Sequence, residues 1–264
     1  MVGQKPLIAR LRLYYFSRRR WILKKFVPEF VWPESVNIDG VQIGLRGAPY
    51  SFGVKRFLMS GQYELAERKI ADKILAPGMT VIEMGSSIGI LTAVMAKRVG
   101  ETGTVIAVEA SDELTSYSRT WLEKDGIVKV INGYGFPVWD VPTGLVVGGF
   151  KSDTGSLGGT VNFSVDRTQS PVSLHQTEIL DLHTLSERFA LTPDVLVIDV
   201  EGSESLLILC EPKFPLSVQH LIIELHPWLY AGDGDMQLIV KRIQGDGFEL
   251  QESIGSVHHF RRKH

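Results

Sequence analysis

The chain has 264 residues, 44% hydrophobic and 22% charged, proportions that allow one large α/β domain with an appendage. A net charge of -2 lacks the basic excess of a generic nucleic-acid binder, so no nucleic-acid partner is expected. The single cysteine, Cys210, excludes an internal disulfide and a cysteine-built zinc site, and the short, charge-broken apolar runs give neither a membrane span nor a signal peptide, which points to the cytoplasm.

In chain order, the segment Met1–Phe26 holds eight basic residues and no acidic one, interleaved with Leu7, Leu11, Tyr14, Trp21 and Ile22. It predicts an amphipathic basic helix that packs one face on the body, or rests weakly on an anionic surface such as the inner face of the membrane. Between Val27 and Tyr50, prolines bracket Val36-Asn37-Ile38-Asp39-Gly40-Val41-Gln42-Ile43. Asp-Gly between alternating apolar residues signals a hairpin, so residues 1–61 read as a basic helix plus a small β-cap.

Residues 62–264 read as the main domain. Gln62–Leu75 has helical apolar spacing and is stopped by Pro77-Gly78. Strands at Met79–Met84, Thr104–Val108 and Val128–Ile131 alternate with helices at Ile88–Val99 and Asp112–Lys124, which means βαβ units and a parallel sheet. Gly144–Ile179 breaks the rhythm with Gly, Ser and Thr and reads as an antiparallel insertion. Then come a helix at Leu182–Phe189, a strand at Asp194–Val200, a helix at Glu204–Cys210 and a strand at Gln219–Leu225. A helix at Met236–Gly245 precedes a terminal hairpin of Phe248–Glu252 with Val257–Arg261. Cys210 closes the apolar run Leu206–Cys210 and reads as a small buried hydrophobe.

The chemistry concentrates in two places. Val81-Ile82-Glu83 leads into Met84-Gly85-Ser86-Ser87-Ile88-Gly89, a strand, a glycine turn and a helix start. Glycine lets backbone turn sharply against a ligand, and Glu109, closing the next strand twenty residues after Gly89, is placed to accept from ribose hydroxyls. A dinucleotide normally needs Gly-x-Gly for its pyrophosphate; here Ser86 and Ser87 replace the second glycine. An ionised Glu83 would repel phosphate and welcome a sulfonium or ammonium group. The expected cofactor is therefore S-adenosylmethionine, leaving S-adenosylhomocysteine. Asn132, Gly133 and Tyr134, after the third strand, are candidates for the adenine, Ala110 for the ribose side, and Tyr63 for a lid.

The second place is Asp199-Val200-Glu201-Gly202-Ser203-Glu204, after the buried strand Val195–Ile198, with Glu224-Leu225-His226 after the next. Ligands of open α/β sheets bind at these carboxyl ends. Ser203 is placed to cap the following helix and Glu204 to sit in its first turn. Asp199, Glu201, Glu224 and His226 form the candidate catalytic set, with His226 or Asp199 as general base and Asp199 also near the cofactor. The set has enough ligands for a divalent metal, but no metal is assigned because nothing in the spacing demands one.

These residues together resemble the FkbM family of class I methyltransferases, over roughly Gln62 to Glu252. The resemblance rests on Val81–Gly89, Val108-Glu109-Ala110, Ile198–Glu204 and Ile223-Glu224-Leu225-His226. It implies a Rossmann-like α/β fold, mostly parallel with antiparallel additions, and O-methylation of a small polar acceptor (a sugar, glycan or natural-product hydroxyl). The chain departs from the family at Glu83, commonly Asp, and at Ser86-Ser87, commonly Ala-Asn. The competing readings are an NAD(P)-dependent oxidoreductase and a non-catalytic membrane-surface protein with a nucleoside pocket. No oligomeric state is assigned.

Overall fold

A computed structural model describes residues 28–48, 50–135, 179–180, 182–202, 204–210, 213–229 and 235–263. The expected basic helix, nearly all of the expected insertion, and Ser203 lie outside these residues. So does the side chain of Cys210. The described chain forms two compact units, one ending at Tyr63 and the other beginning at Glu64.

In the first unit, β1 (Ser35–Ile38) and β2 (Val41–Gly44) form the expected antiparallel hairpin, with Ile38 opposite Val41. Asp39 and Gly40 have φ of 49° and 82°, the paired left-handed backbone that a two-residue hairpin loop requires. Asn37 Oδ1 accepts the Gly40 N–H at 2.9 Å. A helix not anticipated from the sequence, α1 (Phe52–Met59), starts where the Ser51 hydroxyl accepts the Val54 N–H and buries Val54 and Leu58.

In the second unit, α2 (Leu65–Ile74) is shorter than the expected Gln62–Leu75 because Glu64 adopts a left-handed backbone, φ 46°, and resets the chain direction. There follow β3 (Thr80–Met84), α3 (Ile90–Val99), β4 (Thr104–Glu109), α4 (Asp112–Leu122) and β5 (Val128–Asn132). Two short strands, β6 (Tyr134–Gly135) and β7 (Ile179–Leu180), pair in parallel. Then come α5 (Leu182–Arg188), β8 (Val195–Ile198), α6 (Glu204–Cys210), β9 (His220–Glu224), α7 (Asp235–Gly245), β10 (Phe248–Ile254) and β11 (Val257–Arg262).

Seven of these strands form one sheet in the order β10-β11-β9-β8-β3-β4-β5. β5, β4, β3, β8 and β9 are parallel, and β11 runs antiparallel between β9 and β10. This is the Rossmann-like, mostly parallel arrangement with an antiparallel addition that the sequence led us to expect. The terminal hairpin forms as anticipated, but its second strand, not its first, joins the sheet to β9. β3 and β8 are buried on both faces, as parallel strands flanked by helices must be. The core around them includes Ile82, Met84, Leu196, Ile198, Ile223, Phe248 and Phe260. Arg262 stacks 4.3 Å over the Phe248 ring and donates to the carbonyls of Pro215, Val218 and Asp246, fixing β11 in place.

Strand order reverses at β3: β4 and β5 lie on one side, β8 and β9 on the other. The carboxyl ends of β3 and β8 therefore flank the switch point where such sheets take their ligands.

Candidate active site

The turn after β3 is built around Gly85. Its φ is 90°, and a Cβ there would lie 1.7 Å from the main-chain oxygen of Asp199. Only glycine lets the end of β8 close against the turn. Gly85 and Ser86 both donate their N–H to Val108 O. Gly89, φ 81°, is packed so that a Cβ would meet Leu122 Cδ1 at 2.5 Å. Ser87 also has a left-handed backbone, φ 50°. Ser86 is buried, and its hydroxyl has no partner among the described residues.

Glu109, at the end of β4, is buried and turned to the same place. One carboxylate oxygen accepts the Ser87 N–H and the other the Ser111 N–H, each at 2.8 Å. Burial raises its pKa, and the backbone donors pull the other way. Each oxygen keeps a further lone pair for a ligand hydroxyl. Asn132 Nδ2 donates to the carbonyls of Glu109 and Ala110 and to Thr115 Oγ1. Gly133 N–H donates to Glu109 O. Asn132 and Gly133 thus hold the end of β4 in shape. Tyr134 follows in β6, its side chain outside the described residues, and Tyr63 belongs to the other unit.

Glu83 differs from its expected form. It is 2% exposed and accepts from Thr92 Oγ1 at 2.5 Å. Burial pushes its pKa up to about 8, so at neutral pH the carboxyl is mostly protonated, not the free anion expected. The cause is its place on a strand covered on both faces. The anion that guards the helix start is instead Glu64, whose Oε2 accepts the Leu91 N–H of the first turn of α3 at 3.0 Å. Nothing in the spacing of residues marked Glu64 for this.

The second cluster centres on His226, which is 4% exposed. Its Nδ1 lies 2.8 Å from Glu204 Oε1. Glu204 is fully buried and also accepts the Gly202 N–H at both oxygens. Glu204 is thus the acceptor and Nδ1 carries the hydrogen. This leaves Nε2 facing Glu201 Oε2 at 3.6 Å, Asp199 Oδ1 at 3.8 Å and Glu224 Oε2 at 3.9 Å. All four candidate catalytic residues are therefore together. Glu201 takes a left-handed backbone, φ 47°; backbone strain of this kind concentrates at functional sites.

The cluster is strongly acidic. Burial raises the Asp199 carboxyl well above its ordinary value, and Glu224, Glu201, Glu67 and Glu64 push it further. Glu201 is raised by burial and by Glu224 and Glu204, against the pull of His226. Burial by itself would lower His226, but the bond from Glu204 and the nearby carboxylates outweigh it, and its pKa rises. Glu224 Oε1 accepts from Ser256 Oγ at 2.6 Å. Glu67, on α2, hydrogen-bonds Glu224 and is pushed by burial up to about 7. Glu67 was missed, although an acid three and four residues before Ile70 and Ala71 sits on the buried stripe of its helix, which is a readable signal.

Residues 59–139 match the family model of protein-L-isoaspartate(D-aspartate) O-methyltransferase. A ubiquinone/menaquinone biosynthesis C-methyltransferase of Shewanella frigidimarina is 33% identical over 82 residues, 31% of this chain and 30% of that one. A protein-L-isoaspartate O-methyltransferase of Methanococcoides burtonii is 43% identical over 56 residues, 21% of this chain and 28% of that one. The chain thus spans about a third or less of the length of these curated relatives. Among solved structures, Aeropyrum pernix fibrillarin with bound S-adenosyl-L-methionine matches 70% of this chain and 66% of its own at 10% identity, TM-score 0.41. The family-model match runs from the end of α1 through the glycine turn and Glu109 to just past β5, the half of the sheet that carries the glycine turn.

Proposed function

We propose that the protein is an S-adenosylmethionine-dependent O-methyltransferase of the FkbM type, acting on a hydroxyl of a small polar acceptor such as a sugar, glycan or natural product. The observation that carries the reading is the contact of Gly85 with the Asp199 carbonyl. It joins the cofactor turn to the cluster of Asp199, Glu201, Glu224 and His226. The two curated relatives each match less than a third of the chain, and their named activities differ from each other. The acceptor is therefore read from the second half, where Asp199–Glu204 and Glu224–His226 carry the FkbM resemblance.

The residues present fit the cofactor. Glu109 offers lone pairs to a ribose, and Ser86 Oγ is a buried hydroxyl wanting a partner. Burial holds the Glu83 carboxyl mostly protonated and raises the Asp199 carboxyl above its ordinary value, and a cationic ligand would favour the ionised form of each. A dinucleotide fits worse. Its pyrophosphate would need the α3 N-terminus, where Glu64 already accepts the Leu91 N–H and would repel it.

When bound, the cofactor would supply an electrophilic methyl group and a sulfur leaving group. The chain's own work is to hold the acceptor oxygen in line and remove its proton. Positioning contributes the larger share. His226 Nε2 and Asp199 Oδ1 are the atoms offered to that proton, with Glu204 orienting the imidazole and Glu201 and Glu224 gripping the acceptor. A positioned base contributes about 10²–10⁴-fold. Asp199→Asn and His226→Ala should each lower turnover within that range while S-adenosylhomocysteine still binds by calorimetry. Unchanged turnover in both, NADH binding in place of S-adenosylhomocysteine, or methylation of an isoaspartyl peptide in preference to any hydroxyl acceptor would overturn the reading.

A further inference from the structure

Three features of the cluster around Asp199 bear on what it can bind. Nε2 faces three carboxylate oxygens at 3.6–3.9 Å, beyond hydrogen-bond distance of each. Asp199 Oδ1 is shielded from solvent yet has no hydrogen-bond partner among the described residues. The charges that act on Asp199 are all carboxylates, from Glu224, Glu201, Glu67 and Glu64. One donor atom each from Asp199, Glu224 and His226 lie within 4.8 Å of one another. Donors that share one ion at about 2.0–2.3 Å stand roughly 3–4 Å apart, close to the 3.8 and 3.9 Å that separate Nε2 from Asp199 and Glu224.

The ring is also set up as a ligand. A metal-bound histidine usually gives its second ring N–H to a carboxylate, which fixes the tautomer and aims the lone pair. Glu204 does this for His226: it accepts from Nδ1 at 2.8 Å and is itself held by the Gly202 N–H.

We propose that Asp199, Glu224 and His226 form a binding site for one divalent transition-metal ion, Mn²⁺ or Zn²⁺, at the carboxyl ends of β8 and β9. One imidazole nitrogen with two carboxylate oxygens suits these ions better than Mg²⁺, which favours oxygen and water. Three protein ligands leave coordination positions open. The site stands on its own geometry; only its use rests on the methyl-transfer reading. There the ion would hold the acceptor oxygen and make its hydroxyl more acidic, and the proton-accepting role would pass from His226 to Glu201, the carboxylate outside the trio.

The test uses the full-length, tag-free chain, dialysed free of metal and titrated separately with Mn²⁺, Zn²⁺ and Mg²⁺ by calorimetry. One equivalent of Mn²⁺ or Zn²⁺ should bind, with Mg²⁺ at least tenfold weaker. Pulsed electron paramagnetic resonance of the Mn²⁺ complex should show coupling to one imidazole ¹⁴N in the unaltered protein, a readout that needs no variant to fold. Asp199→Asn and His226→Gln should weaken binding at least tenfold, and Glu204→Gln by about 10–100-fold. No stoichiometric binding of any of the three ions, tighter binding of Mg²⁺ than of the other two, a Mn²⁺ complex without nitrogen coupling, or unchanged affinity in both ligand variants would overturn the proposal. S-adenosylhomocysteine binding, measured on the same metal-free protein, separates the two readings. A chain that binds S-adenosylhomocysteine but none of the three ions sinks only this inference, and one that binds an ion but not S-adenosylhomocysteine sinks only the methyl-transfer reading.

Discussion

Gly85→Ala is the sharpest test of how the two halves of the site are joined. The new Cβ would start 1.7 Å from Asp199 O, whereas Cβ contacts under 3.0 Å are essentially never seen. Turn and strand end must therefore part by at least about 1.3 Å. The obstacle is backbone, which cannot swing aside as a side-chain tip can. Alanine also pays about 1–2 kcal/mol for its left-handed φ, and forced repacking adds roughly 1–3 kcal/mol. A loss near 3 kcal/mol corresponds to about 6–12 °C in Tm for a chain of this size. Because the displaced atom belongs to Asp199, a shift of about 1 Å should also cost on the order of 100-fold in turnover. Gly89→Ala is the control. It bears the same left-handed cost, but its 2.5 Å contact is Leu122 Cδ1, a methyl that can rotate, so about half the loss is expected. Differential scanning calorimetry and S-adenosylhomocysteine titration read both effects. A Gly85→Ala protein that melts within 2 °C of the parent, roughly 1 kcal/mol or less, and binds the ligand unchanged would refute the argument.

Glu83 makes stability fall with rising pH. Its folded carboxyl keeps the proton up to about 8 while the unfolded one releases it near 4.5, so the contribution is complete below 4.5 and is lost as pH climbs towards 8, at up to ~1.4 kcal/mol per unit. Glu83→Gln copies the neutral form and should flatten that decline in urea melts at pH 5, 6.5 and 8; an unaltered slope would mean that Glu83 is not the titrating group. Glu109→Gln replaces one of two acceptor oxygens with a donor that confronts a backbone N–H. It should cost about 1–3 kcal/mol and weaken S-adenosylhomocysteine at least tenfold by calorimetry, whereas wild-type affinity would remove Glu109 from the ribose site.

The sheet was readable because its strands are apolar on both faces and glycine or proline marks their ends. Val81–Met84 and Val195–Ile198 are short, rich in β-branched residues and bounded by turn residues, which favours interior strands, and the acids that follow them are then placed at one edge. Glu83 was misread in its charge because period and residue type say which face a carboxyl occupies, not how completely a helix covers it. Thr92, on α3, is what closes over Glu83, and no local pattern predicts that pairing. Glu64 escaped because its partner, Leu91, lies 27 positions further along the chain, whereas Glu67 was marked by its place on the buried stripe of α2 and only its partner, Glu224, was out of reach. Helix α1 was overlooked because Ser51 is a cap that shows its meaning only once Val54 and Leu58 are known to be buried. The Asp39-Gly40 turn was found because both of its requirements are local.

The antiparallel strand β11 also sets an order of events. It separates β9 from β10, so until residues 257–262 arrive, β9 has one row of backbone donors and acceptors open beside the apolar run Leu221-Ile222-Ile223. An unpaired apolar edge is a template for pairing with other chains. A nascent chain that has emerged only as far as α7 would therefore carry the whole parallel sheet together with a sticky flank. The hairpin Phe248–Arg262 covers that flank and moves the edge of the sheet to β10, whose side chains are mostly polar.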